Sequence, residues 1–389
     1  MHDVEVEDPA DPSTGSRQRR GLAAFLLSGE GWPYVLVPFI PLAVALELLH
    51  AGPTLIFATS AIGVIPTAAL MGKATEELAD RVGPGIGGLL NVTFGNFPEL
   101  LIAFFALREG LHEVVQASII GSVLGNVLLV LGASMLVGGV TRERQTFNAR
   151  AARAQATMLL LASAALVMPA VFQLVQVGGL PRPGTGLVNF SSSVEGLSLT
   201  VAIVLLLSYA AGLWFSLVSH RDLFNPPDDE DDDKSELWSV KRSVMLLAIA
   251  GLAVGLMSEI LVGSIAETAE SAGLSEFFIG AVIVAIVGNA AEHWVAVYVA
   301  AKDKMDLAVN IAVGSGAQVA LFVGPLLVVL SFFVGPQPLP LVFNGFELAG
   351  IVLAVIVASH ITNQGESTWF EGLMLLALYA VLVASFLFA

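Results

Sequence analysis

The sequence Gly-Asn-Phe-Pro-Glu at residues 95–99 is nearly repeated by Gly-Asn-Ala-Ala-Glu at residues 288–292. Both copies lie near the middle of an apolar segment that is long enough to cross a lipid bilayer. A charged side chain at the centre of a membrane helix costs about 3 kcal/mol even on the mildest insertion scales. Because this cost is met twice in the same five-residue frame, Glu99 and Glu292 indicate a path for ions through the membrane.

The composition excludes a soluble globular protein. Of the 389 residues, 56% are hydrophobic and 13% are charged, and the mean hydropathy is +0.82, whereas about a quarter of the residues in a soluble domain are charged. The chain contains no cysteine, so neither disulfides nor thiolate metal sites can form. We therefore expect an all-α integral membrane protein that works in the lipid bilayer, uses no cofactor and binds no nucleic acid.

The hydropathy pattern predicts eleven membrane-spanning helices. They occupy residues 33–49, 53–75, 86–107, 113–137, 151–174, 194–219, 241–264, 274–300, 305–334, 340–361 and 368–388. A cytoplasmic N-terminus puts fifteen of the 17 lysines and arginines into cytoplasmic segments and leaves only Arg108 and Arg182 outside, in keeping with the positive-inside rule. Since eleven is odd, the C-terminus lies outside. We expect this orientation in a prokaryotic plasma membrane.

The paired motifs belong to a longer internal repeat. The offset of 193 residues between them also maps Gly121-Ser122 onto Gly314-Ser315 and Thr75 and Glu77 onto Thr268 and Glu270, while an offset of 196 residues maps Phe147-Asn148 onto Phe343-Asn344. Five helices per repeat is odd, so the two copies cross the membrane in opposite directions, as in many secondary transporters. The predicted division is a cytoplasmic tail at 1–31, an extra helix at 32–50, inverted five-helix repeats at 51–219 and 241–389, and an acidic linker at 220–240.

The surroundings of the two glutamates suit a hard cation. No lysine or arginine lies within the third, fourth, eighth or ninth segment except Arg108 at a membrane edge, and His293 is the only nearby candidate cation. The remaining groups that could neutralise the carboxylates are protons or a bound metal ion. An all-oxygen site of this kind fits Ca²⁺, suits Mg²⁺ less well and leaves Mn²⁺ open. Pro98 removes an N–H and should free the carbonyl of Phe94. The candidate metal ligands are Glu99, Glu292, Asn96, Asn289, Gly95, Gly288, Ser122, Asn126, Ser315 and Gln318.

The same pair of carboxylates can hold one divalent cation or two protons, but not both at once. Alternating access to such a site would exchange Ca²⁺ for H⁺, with Glu99 and Glu292 as the proton-coupling residues. The adjacent His293 is either a pH-sensing neighbour or a packing side chain. Four acids at the ends of the second and seventh segments are candidates for cation funnels or gates, although acids are ordinary at a membrane interface: Glu76, Glu77, Glu267 and Glu270.

At these residues the chain resembles the calcium/proton exchangers of the Ca²⁺/cation antiporter superfamily. The paired motifs are GNFPE at 95–99 and GNAAEH at 288–293, and the flanking blocks are IPTAALMGKATEELADRVG (65–83), VVQASIIGSVLGNVLLVLG (114–132), GLSEFFIGAVIVAIVGNAAEH (273–293) and GESTWFEG (365–372). The resemblance extends from about residue 50 to the end. It implies eleven helices, an acidic segment between helices 6 and 7, and Glu99 and Glu292 as the residues that bind Ca²⁺ and H⁺.

The linker contains an acidic run, formed by Asp228, Asp229, Glu230, Asp231, Asp232 and Asp233. A block of like charges is usually a solvated loop, whereas the resemblance suggests a cytoplasmic segment that collects Ca²⁺ or regulates transport. The run lacks the ligand spacing and turn glycine of an EF-hand. We expect it to modulate activation by Ca²⁺ without being needed for transport.

Three other functions stay open on the sequence alone. A membrane metal hydrolase would need a histidine pair such as HExxH, but the six histidines are scattered. A channel could carry the same buried site, although the inverted repeat favours alternating access. A Na⁺-coupled Ca²⁺ exchanger would share the whole architecture. The sequence leaves the oligomeric state undetermined.

Overall fold

The computed structural model describes residues 28, 31–184, 190–219 and 238–389. The acidic run at 228–233 and most of the predicted N-terminal tail lie outside the described residues, so their roles stay predictions. The described helices are α1 (Phe39–Leu48, preceded by a 3₁₀ turn at Trp32–Leu36), α2 (Pro53–Val82), α3 (Pro84–Gly95), α4 (Phe97–Arg108), α5 (His112–Gly139), α6 (Ala149–Val177), α7 (Ser192–Ser219), α8 (Val240–Gly263), α9 (Ile265–Ala272), α10 (Glu276–Ala301), α11 (Met305–Leu330), α12 (Gly345–Thr362) and α13 (Trp369–Leu387).

Nine helices in the described part of the chain are long and apolar enough to cross a membrane. The pair α3 and α4, which is bent by 44° at a short break, gives a tenth when it is counted as one span. The apolar helix at Trp32–Leu48 is shorter than a spanning helix usually is. The all-α membrane class is therefore confirmed, while the count of eleven spans stays a prediction.

The loops gather at two opposite ends of the helix bundle. At one end, which we call the basic face, Arg142 pairs with Asp303 at 3.0 Å. Two short antiparallel strands, β1 (Gln145–Thr146) and β2 (Glu366–Ser367), lie at the same end. At the other end, the second face, Arg108 pairs with Glu259 at 2.8 Å. Each of these contacts joins parts of the chain that the predicted alternation of spans puts on the same side.

The centre of the bundle is formed by α5 and α11. In the most apolar stretches of these helices 83% and 72% of the residues are buried, against 11% for α7. Glycines let α5 and α10 cross with their backbones in contact. A Cβ atom at Gly280 would lie 2.7 Å from the Val114 carbonyl oxygen, and one at Gly121 would overlap the backbone of Ala281. This crossing fixes α5 against the helix that carries the second motif.

Gly121→Ala should lower the melting temperature of the detergent-solubilised protein by several degrees, because the added methyl group meets backbone that cannot rotate away. Overpacking of this kind costs about 1–3 kcal/mol. Gly196→Ala in α7 is the matched control, since nothing lies within 4 Å of its new Cβ, and it should leave the melting temperature unchanged or slightly higher. Equal melting curves for the parent and both variants would contradict the close crossing.

Candidate cation site

The first motif lies at a break between two helices. The helix α3 ends at Gly95, and Asn96 is the single residue before α4. Pro98 has no N–H with which to continue the hydrogen-bond ladder, which explains the break. The carbonyl of Phe94 has therefore lost its helical partner, and it accepts the N–H of Asn96 instead. Glu99 projects from the first turn of α4.

The second motif lies on an unbroken helix. The stretch Ala285–Ala301 of α10 is regular α-helix, and a π-helical segment at Ile279–Val284 precedes it. The motif contains no proline, so the helical hydrogen bonds continue through it and Glu292 projects from a continuous helix. The two halves of the site therefore differ in backbone although their motifs are alike.

Each glutamate packs against the first glycine of the other motif. The Oε1 atom of Glu292 lies 3.3 Å from the position that a Cβ at Gly95 would take, and the Cγ atom of Glu99 lies 3.1 Å from the corresponding position at Gly288. A larger residue at either glycine would displace a glutamate from the middle of the site. The contact between the glycine of one motif and the glutamate of the other explains why both residues occur in each motif.

Amide and hydroxyl groups of α5, α10 and α11 cross-link the site. The Asn126 amide donates to Asn289 Oδ1 at 3.3 Å and to Ser315 Oγ at 3.2 Å. The Asn289 amide in turn donates to Ser122 Oγ at 3.1 Å. The Oδ1 atom of Asn126 is buried and accepts no hydrogen bond from the described residues. The network therefore uses its N–H donors internally and leaves an amide oxygen for a ligand.

The two carboxylates have different partners. Ser315 donates its hydroxyl to Glu292 Oε2 at 2.9 Å, whereas neither oxygen of Glu99, which is 8% exposed, accepts a hydrogen bond within the described part of the chain. Over the same residues, no lysine or arginine pairs with either carboxylate. Buried charges without a partner are costly, so this arrangement calls for a proton or a metal cation.

A small cavity adjoins Glu99. Its walls include Ser118 and Ser122, and it is large enough for about one water molecule. Ser118 is absent from the ligands predicted from the sequence, although its spacing of four residues from Ser122 puts both hydroxyls on one face of α5. Gln318 is connected to the site by a hydrogen bond: the Asn96 amide donates to Gln318 Oε1 at 2.6 Å.

His293 lies beside α5. Its Cε1 atom is 3.8 Å from the position that a Cβ at Gly125 would take. Gly125 begins a π-helical segment, Gly125–Val130, and a second such segment occupies Val319–Val323 of α11. Such segments are frequent at functional sites. The position next to the site is compatible with both roles predicted for His293.

The acids predicted as gates are not placed symmetrically. Glu77 is buried, accepts the N–H of Trp238 at 2.8 Å and pairs with Lys73 at 3.5 Å. Glu76 is exposed and pairs with the same lysine at 3.2 Å. This geometry favours a contact that holds Trp238, five residues after the acidic run, over an open funnel. The acids predicted for the other mouth are both exposed: Glu267 and Glu270.

Buried carboxylates among neutral oxygens, inside a bundle of apolar helices, are typical of membrane proteins that transport cations. Residues 52–218 and 242–388 match the sodium/calcium exchanger protein family. The chain belongs to this family.

Two curated relatives are similar over most of their length. The Ca²⁺/H⁺ antiporter ChaA of Bacillus subtilis is 45% identical over 351 residues, which cover 89% of this chain and 96% of that protein. A Ca²⁺/H⁺ antiporter of Synechocystis is 40% identical over 374 residues, which cover 91% of this chain and 96% of the relative.

Solved structures show the same architecture. Native YfkE matches with a TM-score of 0.77 and 42% identity, covering 92% of this chain and 100% of that one. The H⁺/Ca²⁺ exchanger CAX matches with a TM-score of 0.65 over 93% of each chain. At 15% identity, that second match shows the shared fold alone.

Ser315→Ala removes a donor to Glu292 and an acceptor for Asn126. We expect Ca²⁺ to raise the melting temperature of the parent protein, because a ligand that binds only the folded state stabilises it. Loss of a hydrogen bond to a charged group should increase the Ca²⁺ concentration needed for the same rise by about tenfold. Ser134→Ala is the control, since this buried serine of α5 makes no side-chain hydrogen bond within the described residues. Coinciding Ca²⁺ titrations of the parent and the Ser315 variant would refute the assignment.

Proposed function

We propose that the protein is a secondary active antiporter that exchanges cytosolic Ca²⁺ for H⁺ by alternating access. The observation that carries the proposal is the reciprocal packing of Glu99 on Gly288 and of Glu292 on Gly95. This contact brings two carboxylates together at a point where no lysine or arginine of the described part pairs with them. The Ca²⁺/H⁺ antiporters at 40% and 45% identity support the same pair of ions.

The chemistry follows from the two ways in which the carboxylates can be neutralised. Ca²⁺ takes about 6–8 oxygen ligands in flexible geometry, and the site offers carboxylate, amide and hydroxyl oxygens. A protonated carboxyl group has lost the charge that attracts the cation, so proton uptake releases Ca²⁺. Competition for one site then couples the two fluxes. We assign the coordinating atoms to Glu99 and Glu292 with Asn96, Asn289, Ser122, Asn126, Ser315, Gln318 and the backbone of Gly95 and Gly288.

We further propose that two inverted five-helix repeats, at 51–219 and 241–389, enclose this site. The family matches at 52–218 and 242–388 support that division. The side chains of Asn148 and Asn344, which the repeat makes equivalent, cap the starts of α6 and α12. The π-helical segments of α5 and α11 also lie at equivalent positions. Repeats of this kind place the ion site at the membrane midplane.

Na⁺/Ca²⁺ exchange on the same fold is the second candidate. The family to which the chain belongs is that of the sodium/calcium exchanger proteins, so a Na⁺ gradient is the alternative driving force. Vesicles with either a pH gradient or a Na⁺ gradient separate the two functions.

Glu99→Gln and Glu292→Gln should each abolish Ca²⁺/H⁺ exchange, because glutamine keeps the size of glutamate but carries no charge. The measurement is Ca²⁺ uptake into everted vesicles driven by an imposed pH gradient, with and without Na⁺. In the parent protein, the apparent Ca²⁺ affinity should fall as the pH is lowered, since protons and Ca²⁺ compete for the same oxygens.

Glu259→Gln and Glu366→Gln are the matched controls. Glu259 pairs with Arg108 at 2.8 Å and Glu366 with Arg144 at 3.0 Å, both at the surface, where ion pairs contribute little. Both variants should retain exchange. Activity that survives in both motif variants, or a Ca²⁺ affinity that stays constant between about pH 5 and pH 8, would overturn the proposal. Uptake that follows only the Na⁺ gradient would establish the second candidate.

We also propose that the basic face lies in the cytoplasm of a prokaryotic plasma membrane, with the N-terminus inside and the C-terminus outside. Fifteen of the 17 basic residues support this orientation. A reporter enzyme that is active only in the cytoplasm should work at the N-terminus and fail at the C-terminus. Activity at both ends would mean an even number of spans and would refute the eleven-span topology.

A further inference from the structure

One face of α11 carries a row of residues at every fourth position: Asp306, Asn310, Gly314 and Gln318. Residues four apart on an α-helix lie nearly above one another. The row starts at the basic face, where Asp306 and Asn310 are exposed, and ends at the half-buried Gln318. We call these four residues the polar row.

The outer part of the polar row is bonded to α6. The N–H of Asn148, which caps α6, donates to the carboxylate of Asp306. One turn further in, the amide of Gln155 donates to Asn310 Oδ1. The first contact is exposed and the second is partly buried, and both hold polar groups of α6 against α11.

The inner end of the row connects to the cation site. Gln318 accepts the amide of Asn96 at 2.6 Å, and Asn96 lies three residues before Glu99. The twelve positions from Asp306 to Gln318 correspond to about 18 Å of helix. Half the hydrocarbon thickness of a bilayer is about 15 Å. The row is therefore long enough to reach from the basic face to the glutamates.

Gln155 has an unused oxygen beside this row. The residue is 8% exposed, and its Oε1 atom accepts no hydrogen bond from the described residues. Gly314 makes room for it, since a Cβ there would lie 3.1 Å from Gln155 Nε2. A buried amide oxygen without a donor costs about 1–3 kcal/mol. It is also a suitable ligand for a cation that has lost part of its water.

The row is repeated only in part on the second face. The offset of 193 residues maps Asp306 onto the acidic Glu113, but it maps Asn310 onto Ala117 and Gln318 onto Gly125, and the offset of 196 residues maps Gln155 onto the buried Ile351. At the position equivalent to Gly314, α5 is blocked by the backbone of α10. The amides of Asn310, Gln318 and Gln155 therefore have no polar counterpart at the equivalent positions on the other side of the site.

We propose that the polar row and Gln155 form the access path by which the transported cation moves between the basic face and the glutamates. Gln155 Oε1 is a transient ligand on this path, and the hydrogen bond from Gln155 to Asn310 closes the path in the conformation described. The inference rests on the proposed cation exchange. It adds the route that the cation takes from the basic face and the hydrogen bond that closes this route.

The absence of cysteine from the chain allows a direct test with single cysteines. Asn310→Cys and Val309→Cys are compared, because Val309 lies next to Asn310 and is 2% exposed. A membrane-impermeant cationic thiol reagent is added to right-side-out and everted vesicles. Asn310→Cys should react from the basic face at least tenfold faster than the control, Ca²⁺ should slow its reaction, and the modified protein should lose transport.

Gln155→Leu gives a second readout that does not depend on cysteine. Leucine fills similar space but offers no oxygen, so the KM for Ca²⁺ presented at the basic face should rise about tenfold at an unchanged maximal rate. Gln155→Glu restores an oxygen and should return KM to the parent value or below. A purely structural role would lower the maximal rate or the amount of folded protein in both variants.

The outcomes separate the path from the proposed function. Normal Ca²⁺/H⁺ exchange together with equal labelling of both cysteines, or with labelling that Ca²⁺ does not slow, refutes the path and leaves the function standing. Labelling of Asn310→Cys that Mn²⁺ slows, in a protein that does not exchange Ca²⁺ for H⁺, supports the path and refutes the proposed ion. An unchanged KM in Gln155→Leu refutes the role of Gln155.

Discussion

Two buried carboxylates that pair with no lysine or arginine of the described residues form the constraint on which the rest of the structure depends. In a medium of low dielectric constant, the repulsion between like charges is far stronger than in water. The two glutamates are accommodated differently. Glu99 lies in the first turn of α4, where the N-terminal end of the helix favours negative charge. Glu292 lies within a continuous helix and instead accepts a hydrogen bond from the Ser315 hydroxyl.

The neutral groups around the carboxylates are oriented before any ion arrives. The Asn126 amide donates to Asn289 and Ser315, and the Asn289 amide donates to Ser122, so these hydrogen bonds fix the positions of both side chains. Hydrogen-bonded networks at low dielectric are rigid when their donors are satisfied. A rigid set of oxygens can favour an ion of one size, because the ligands cannot contract around a smaller one. Gly95 and Gly288 complete this arrangement by letting the opposite carboxylate come close.

The sequence predicts the parts of the site that depend on local pattern. Segment length and hydropathy predict the spans. The internal repeat predicts that Ser122, Asn126 and Ser315 lie at the same depth in the membrane as the two glutamates. The break at Asn96 also follows locally, from Pro98. Features that depend on distant contacts were beyond this reasoning. Glu77 accepts a hydrogen bond from Trp238, which lies 161 residues away in the sequence. The hydrogen bond from the Asn96 N–H to the Phe94 carbonyl depends on how the chain turns at the break.

The crossing of α5 and α10 has a consequence for the speed of turnover. Side chains change rotamer within picoseconds to nanoseconds, but the contacts at Gly121 and Gly280 are made to main chain, which cannot swing aside. The second face can open at this point only if whole helices move apart, a motion that belongs to the microsecond to millisecond range. In the proposed alternating-access cycle, helix displacement would then govern the duration of a turnover, and raising the ion concentration beyond saturation would not shorten it.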